Sequence, residues 1–179
     1  MSALAALAGV IDRMNEAIGR AVSWLTLLMV LLAFTVVVLR YVFSIGFVGL
    51  QESYVWLHGL VFMLGAGYTL LHESHVRVDI LYRDAGPRFK AWVDLAGGAF
   101  LMLPILAVIA YVSWPYVADS WSRLEGSREA GGLPGLFLLK SAIIVFCVLT
   151  GLQGLSLMLR SFLVLAGRTA PSDDRFANG

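Results

Sequence analysis

Long uncharged runs alternate along this chain with short charged ones. Ala21 to Leu39, Ser53 to Leu71, Leu95 to Ala118 and Ser141 to Leu159 contain no Asp, Glu, Lys or Arg. An α-helix rises about 1.5 Å per residue, so roughly 20 apolar residues cross a hydrocarbon core of about 30 Å. Each run is close to that length. The pattern predicts an all-α protein, an integral membrane bundle of four transmembrane helices spanning about 21–42, 53–72, 92–118 and 136–165. Residues 1–179 form a single membrane domain, with 168–179 as a polar tail, because the connections are too short to hold a soluble domain.

Ahead of the first span, Leu4, Leu7, Ile11, Met14 and Ile18 recur at three- and four-residue steps, with Asp12, Arg13, Asn15 and Glu16 elsewhere around the turn. This predicts an amphipathic N-terminal segment, an interfacial helix leading into the first span. A frayed extension is the competing reading. The charges and the lack of a small-residue cleavage site indicate that the segment is retained. The second loop, His72 to Lys90, interleaves charges with Val76, Val78, Ile80 and Leu81 before a Gly86-Pro87 break. It reads as a segment lying at the interface, with an ordinary solvated connection as the alternative. The third loop, Asp119 to Pro134, ends on a glycine pair and a proline that turn the chain back into the membrane.

Composition narrows the class. With 59% hydrophobic and 14% charged residues and a mean hydropathy of +0.82, the chain is too apolar for a soluble domain. A net charge of +1 gives no concentrated basic face for nucleic acid. Of the thirteen Lys and Arg residues, Arg13, Arg20, Arg77, Arg83, Arg88, Lys90, Arg160, Arg168 and Arg175 fall on one side of the bundle, and Arg40, Arg123, Arg128 and Lys140 on the other. Basic residues are retained on the cytoplasmic side, so both termini are expected there. All five tryptophans stand near span ends, and Pro104 predicts a kink in the third span.

Chemistry is sparse. The span centres read as free of ionisable and polar groups, which transporters of ions or solutes place at mid-membrane. His58 is expected to be a buried, hydrogen-bonded histidine. His58, His72 and His75 all belong to the second span or its continuation, so no facing pair can hold haem. His72 and His75 alone do not make a metal site. Cys147 has no partner for a disulfide. No catalytic, cofactor or metal residues are assigned, and the chain is not expected to be an enzyme.

Four groups of residues taken in order resemble the small membrane subunit of tripartite ATP-independent periplasmic (TRAP) transporters. They are Val38-Leu39-Arg40-Tyr41-Val42-Phe43; Glu52 with Trp56 through Ala66; His75-Val76-Arg77-Val78-Asp79-Ile80-Leu81; and Glu129-Ala130-Gly131-Gly132-Leu133-Pro134. The resemblance implies a small scaffold subunit of a secondary active, sodium-coupled transporter for carboxylate-type solutes. Its partners are a large membrane subunit holding the transport sites, a periplasmic solute-binding protein and the lipid bilayer of the bacterial inner membrane. It also suggests structural or interface roles. Arg40 and Glu52 would pair across the first connection. His75, Arg77 and Asp79 would fix the second loop. Glu129, Gly131, Gly132 and Pro134 would shape the third, with unusual backbone angles at the two glycines. The alternative is a membrane anchor for an electron-transfer or protease complex.

Overall fold

The computed structural model describes residues 3–72 and 85–167. Five α-helices follow one another: α1 (Ala3–Val42), α2 (Val48–Leu71), α3 (Pro87–Gly97), α4 (Leu103–Ser122) and α5 (Leu136–Leu165), with a π-helical turn at Gly98–Met102 joining α3 to α4. Four rods, counting α3 to α4 as one, are long and apolar enough to cross a membrane. Their up-and-down course brings the first residues of α1 to the last turns of α5, so the two described chain ends share one end of the molecule.

α1 is a single helix of 40 residues, about 60 Å long, twice what the hydrocarbon requires. The amphipathic N-terminal segment is the opening half of the first span's own helix, which runs unbroken through the expected boundary. It is also turned differently from the apolar stripe. The buried residues are Ala8, Ile11, Asn15, Gly19 and Val22, while Leu4 and Leu7 face outward. Ala8, Asn15 and Gly19 face the neighbouring helices beside Ile11 and Val22, and Leu4 and Leu7 can face away because in a bilayer lipid solvates Leu as well as protein does and close backbone approach drives packing.

Between α1 and α2, Ser44 adopts a left-handed φ of 55°, and the Ile45 N–H reaches back to the Leu39 carbonyl at 3.0 Å. α2 returns along α1, with Gly67 as its buried contact. A Cβ there would strike Asn15 Oδ1 and approach the Leu149 carbonyl to 3.2 Å.

The third rod begins at Pro87, in the first turn of α3, where a missing N–H costs nothing. Pro104 has no N–H for the carbonyl one turn earlier, and the helix answers with a widened turn in which the Leu103 N–H bonds the Gly98 carbonyl. The distortion expected at Pro104 is therefore taken up just ahead of it. The widened turn packs on α5 through two reciprocal contacts. Met158 lies over Gly98, where a Cβ would come within 2.8 Å of its side chain, and Met102 occupies the space above Gly154.

α5 organises the whole. It touches α1, α2, α3, α4 and the π turn, whereas α4 touches neither α1 nor α2. In the most apolar stretch of each rod, 44% of α5 is buried, against 6% in α1 and α2 and 11% in the third rod. The bundle is thus an α1–α2 pair and an α3–α4 rod mounted on a shared central helix.

Candidate functional site

Two clusters of bonded polar side chains meet α5, one from its middle to its last turns and one at its first turns. At the end bearing the termini, α5 presents Gln153, Ser156 and Arg160 to α1, a spacing of three and four that keeps them on one face. α1 answers with Asp12 and Asn15. Gln153 Nε2 donates to Asp12 Oδ1 at 2.8 Å, Ser156 Oγ donates to the same oxygen at 2.7 Å, and Arg160 forms an ion pair with Asp12 Oδ2. Asn15 Nδ2 donates to Gln153 Oε1 at 2.9 Å. Asn15, Gln153 and Ser156 are almost wholly buried. The Asp12 carboxylate is thus satisfied by two hydrogen bonds and one ion pair, all from α5. Beside this cluster Glu16 accepts from Arg20 Nε at 2.8 Å and meets His72 Nε2 at 2.7 Å.

Gln153 and Ser156, with the buried Thr150, lie inside the fourth uncharged run, contrary to the expectation of span centres free of polar groups. Gln153 stands near the middle of α5. Its signal was present in the sequence as a lone amide in an apolar run, since such a residue is expensive in lipid unless a neighbouring helix satisfies it.

At the opposite end, Glu52 on the first turns of α2 holds the loop 123–135. One carboxylate oxygen accepts from Ser127 Oγ; the other accepts the Leu133 N–H at 2.7 Å. The loop closes on itself through Ser127 N–H to the Leu133 carbonyl at 2.9 Å and Gly132 N–H to the Glu129 carbonyl at 3.0 Å. Gly131 takes a positive φ of 79°. Gly132 does not; its lack of a side chain admits Glu52, whose Oε2 would lie 2.7 Å from a Cβ there. The second left-handed glycine of the loop is instead Gly135, φ 101°, immediately before α5. Pro134 stacks beside Gly126, and the Glu129 side chain points outward.

A second far-end contact joins the same loop to α5. Lys140 is buried, forms an ion pair with Glu125 and lies 3.9 Å over the Tyr116 ring. Hydrogen bonds from Lys140 and from Ser120, the latter at 2.7 Å, hold Glu125 below the usual carboxylate range. Trp121 Nε1 donates to Ser141 Oγ at 2.7 Å.

The expected Arg40–Glu52 pair is not formed. Both oxygens of Glu52 are committed to the loop, and Arg40 is exposed at the end of α1. His75, Arg77 and Asp79 lie outside the described residues. His58 is also placed otherwise than expected. It is exposed on α2, beside Met29, Val30, Ala33, Tyr54 and Val55, and makes no hydrogen bond within the described residues.

These contacts fasten helices and a loop together; none brings groups into the arrangement a reaction would need. A family model described as tripartite ATP-independent periplasmic transporters, DctQ component, matches residues 10–164. The chain belongs to this family. No curated protein and no solved structure matches it. As a DctQ component it is a transmembrane subunit of a transporter, in a family of transporter components rather than enzymes. The matched range takes in both polar clusters, from Asp12 through Arg160, and the four membrane-crossing rods. The DctQ assignment and the geometry agree on the kind of molecule this is: a helical membrane body fastened at its two ends.

Proposed function

We propose that this chain is the small scaffold subunit of a secondary active, sodium-coupled, ATP-independent transporter for carboxylate-type solutes. A periplasmic binding protein delivers the solute, and a separate large membrane subunit holds the transport sites. One observation supports this division above the rest. Asp12, Asn15, Gln153, Ser156 and Arg160 bond one another across the α1–α5 contact rather than turning toward a passage. A scaffold requires packing surface, and a permeation path requires unspent polar groups. Sodium coupling and the solute class rest on the family resemblance.

The chain sits in the bacterial inner membrane with both termini cytoplasmic, on the distribution of Lys and Arg. The loop held by Glu52 then faces the periplasm, where the solute-binding protein docks on the complex, and Arg128→Cys in intact cells is labelled by an impermeant maleimide only from that side. The direct test is reconstitution. Proteoliposomes with this chain alone take up no solute, and those with the large subunit and binding protein added show uptake driven by an inward sodium gradient. Uptake by the chain alone refutes the scaffold reading.

A further inference from the structure

His58 is an ionisable side chain set within the uncharged run 53–71, about 15 Å along α2 from Val48. It faces outward, and no group of the described residues bonds to it. Lipid acyl chains offer it nothing, since imidazole carries a donor and an acceptor and hydrocarbon carries neither. Ionisable residues inside a membrane are found against protein or a water-filled cavity, and the groove beside His58 is lined by Met29, Val30, Ala33, Tyr54 and Val55.

Its surroundings have the shape of a protein contact. Val55, His58, Phe62 and Gly65 lie at steps of three and four along one face of α2. Val55 and Phe62 are 56% and 70% exposed, and Gly65 has open space where a side chain would be. Next to it, a groove of about 660 Å³ runs between α1 and α2, with Thr26, Phe62, Gly65, Ala66 and Thr69 in its walls. Small residues beside an open groove let a neighbouring helix come close. The outer face of α4 differs. Ile105, Val108 and Val112 cover it, Tyr111 is its one phenol, and it has no imidazole, no open glycine and no groove beside it like that at Gly65.

We propose that the α1–α2 face centred on His58 is the docking surface for the large membrane subunit, a transmembrane helix of which brings a carboxylate, amide or hydroxyl to the imidazole. This rests on the scaffold reading above and assigns it a surface. The polarity of the site selects a membrane helix, which carries both an apolar body for Val55 and Phe62 and a hydrogen-bonding group at that depth, and the scaffold reading assigns that helix to the large subunit.

The test is co-expression of the tagged chain with the large subunit of its transporter, followed by pull-down in mild detergent and measurement of the affinity between them. His58→Leu weakens the complex about three- to tenfold, in line with a single interhelical hydrogen bond in a membrane. His58→Gln, which keeps donor and acceptor, retains most of the affinity. Val55→Trp on the same face releases the large subunit, and Val108→Trp on α4 leaves it bound. Unaltered thermal stability of the isolated His58→Leu and Val55→Trp chains shows that the loss lies in docking rather than folding. Release by Val108→Trp with retention by Val55→Trp overturns the face. So does self-crosslinking of Val55→Cys between two copies of the chain in the intact complex. If the wild-type chain holds no large subunit at all, the scaffold reading itself has failed.

Discussion

Asp12 is the point on which the terminal end of the bundle turns, and its removal has a calculable cost. Asp12 and Arg160 each keep only 14% of their side-chain surface, so screening by water is weak, and Asp12 also accepts from Gln153 and Ser156. Removing one member of a buried pair typically costs about 3–5 kcal/mol, because the other charge stays buried and unmatched. At the edge of the membrane Arg160 can swing toward the headgroups, which reduces this, and Asp12→Ala is expected to cost about 2–4 kcal/mol. Asp12→Asn, which keeps acceptor oxygen but loses charge, costs less. The double variant Asp12→Leu with Arg160→Met removes both charges and recovers most of the loss. Reversible unfolding in detergent of wild type, Asp12→Leu, Arg160→Met and the double variant, read by helix signal against denaturant, supplies the four corners of a double-mutant cycle. Additive single variants costing less than about 0.5 kcal/mol each would refute this account, since that is the range of an exposed pair.

Two further perturbations test other joints. Gly154→Val forces Met102 out of its seat on α5 and should cost about 1–3 kcal/mol as an overpacked contact; adding Met102→Ala returns part of that in the same unfolding assay, and failure of the second substitution to help would show that the π turn is not seated there. Glu52→Ala leaves the Leu133 N–H and Ser127 hydroxyl without their acceptor, at about 1–3 kcal/mol, so the Leu133 amide should exchange with deuterium roughly tenfold faster or more, whereas protection equal to wild type means that the loop is held by its own turn.

The four rods were legible because uncharged length is decisive in a bilayer, and the family resemblance lay in residues that could be quoted directly. The orientation of α1 was not. The stripe Leu4, Leu7, Ile11, Met14 and Ile18 does not stay on one side: Ile11 goes inside with Ala8, Asn15 and Gly19, while Leu4 and Leu7 face outward, where lipid solvates them. Gln153 and Ser156 were visible as polar interruptions but acquired meaning only when α1 supplied Asp12, 141 and 144 residues away in sequence. The same distance hid the partner of Glu52. Arg40 is its neighbour in sequence; Ser127 and Leu133, 75 and 81 residues on, are its neighbours in space. Gly131 followed from turn chemistry, while the second unusual angle, expected at Gly132, falls at Gly135, because Gly132 meets the Glu52 side chain and Gly135 precedes a helix.

The central place of α5 has a consequence for how the molecule is made. Ribosomes deliver α1 through α4 to the membrane before α5 exists, and during that interval the α1–α2 hairpin and the α3–α4 rod have no helix-to-helix contact in common. Among the described residues they meet through the loop 123–135, which Glu52 holds, while Asp12 waits for its arginine and Glu125 for its lysine. Arrival of α5 packs both pieces on one helix and supplies both partners in one event. Chains halted before residue 136 therefore lack the shared core of the bundle, and completion of a single helix provides it.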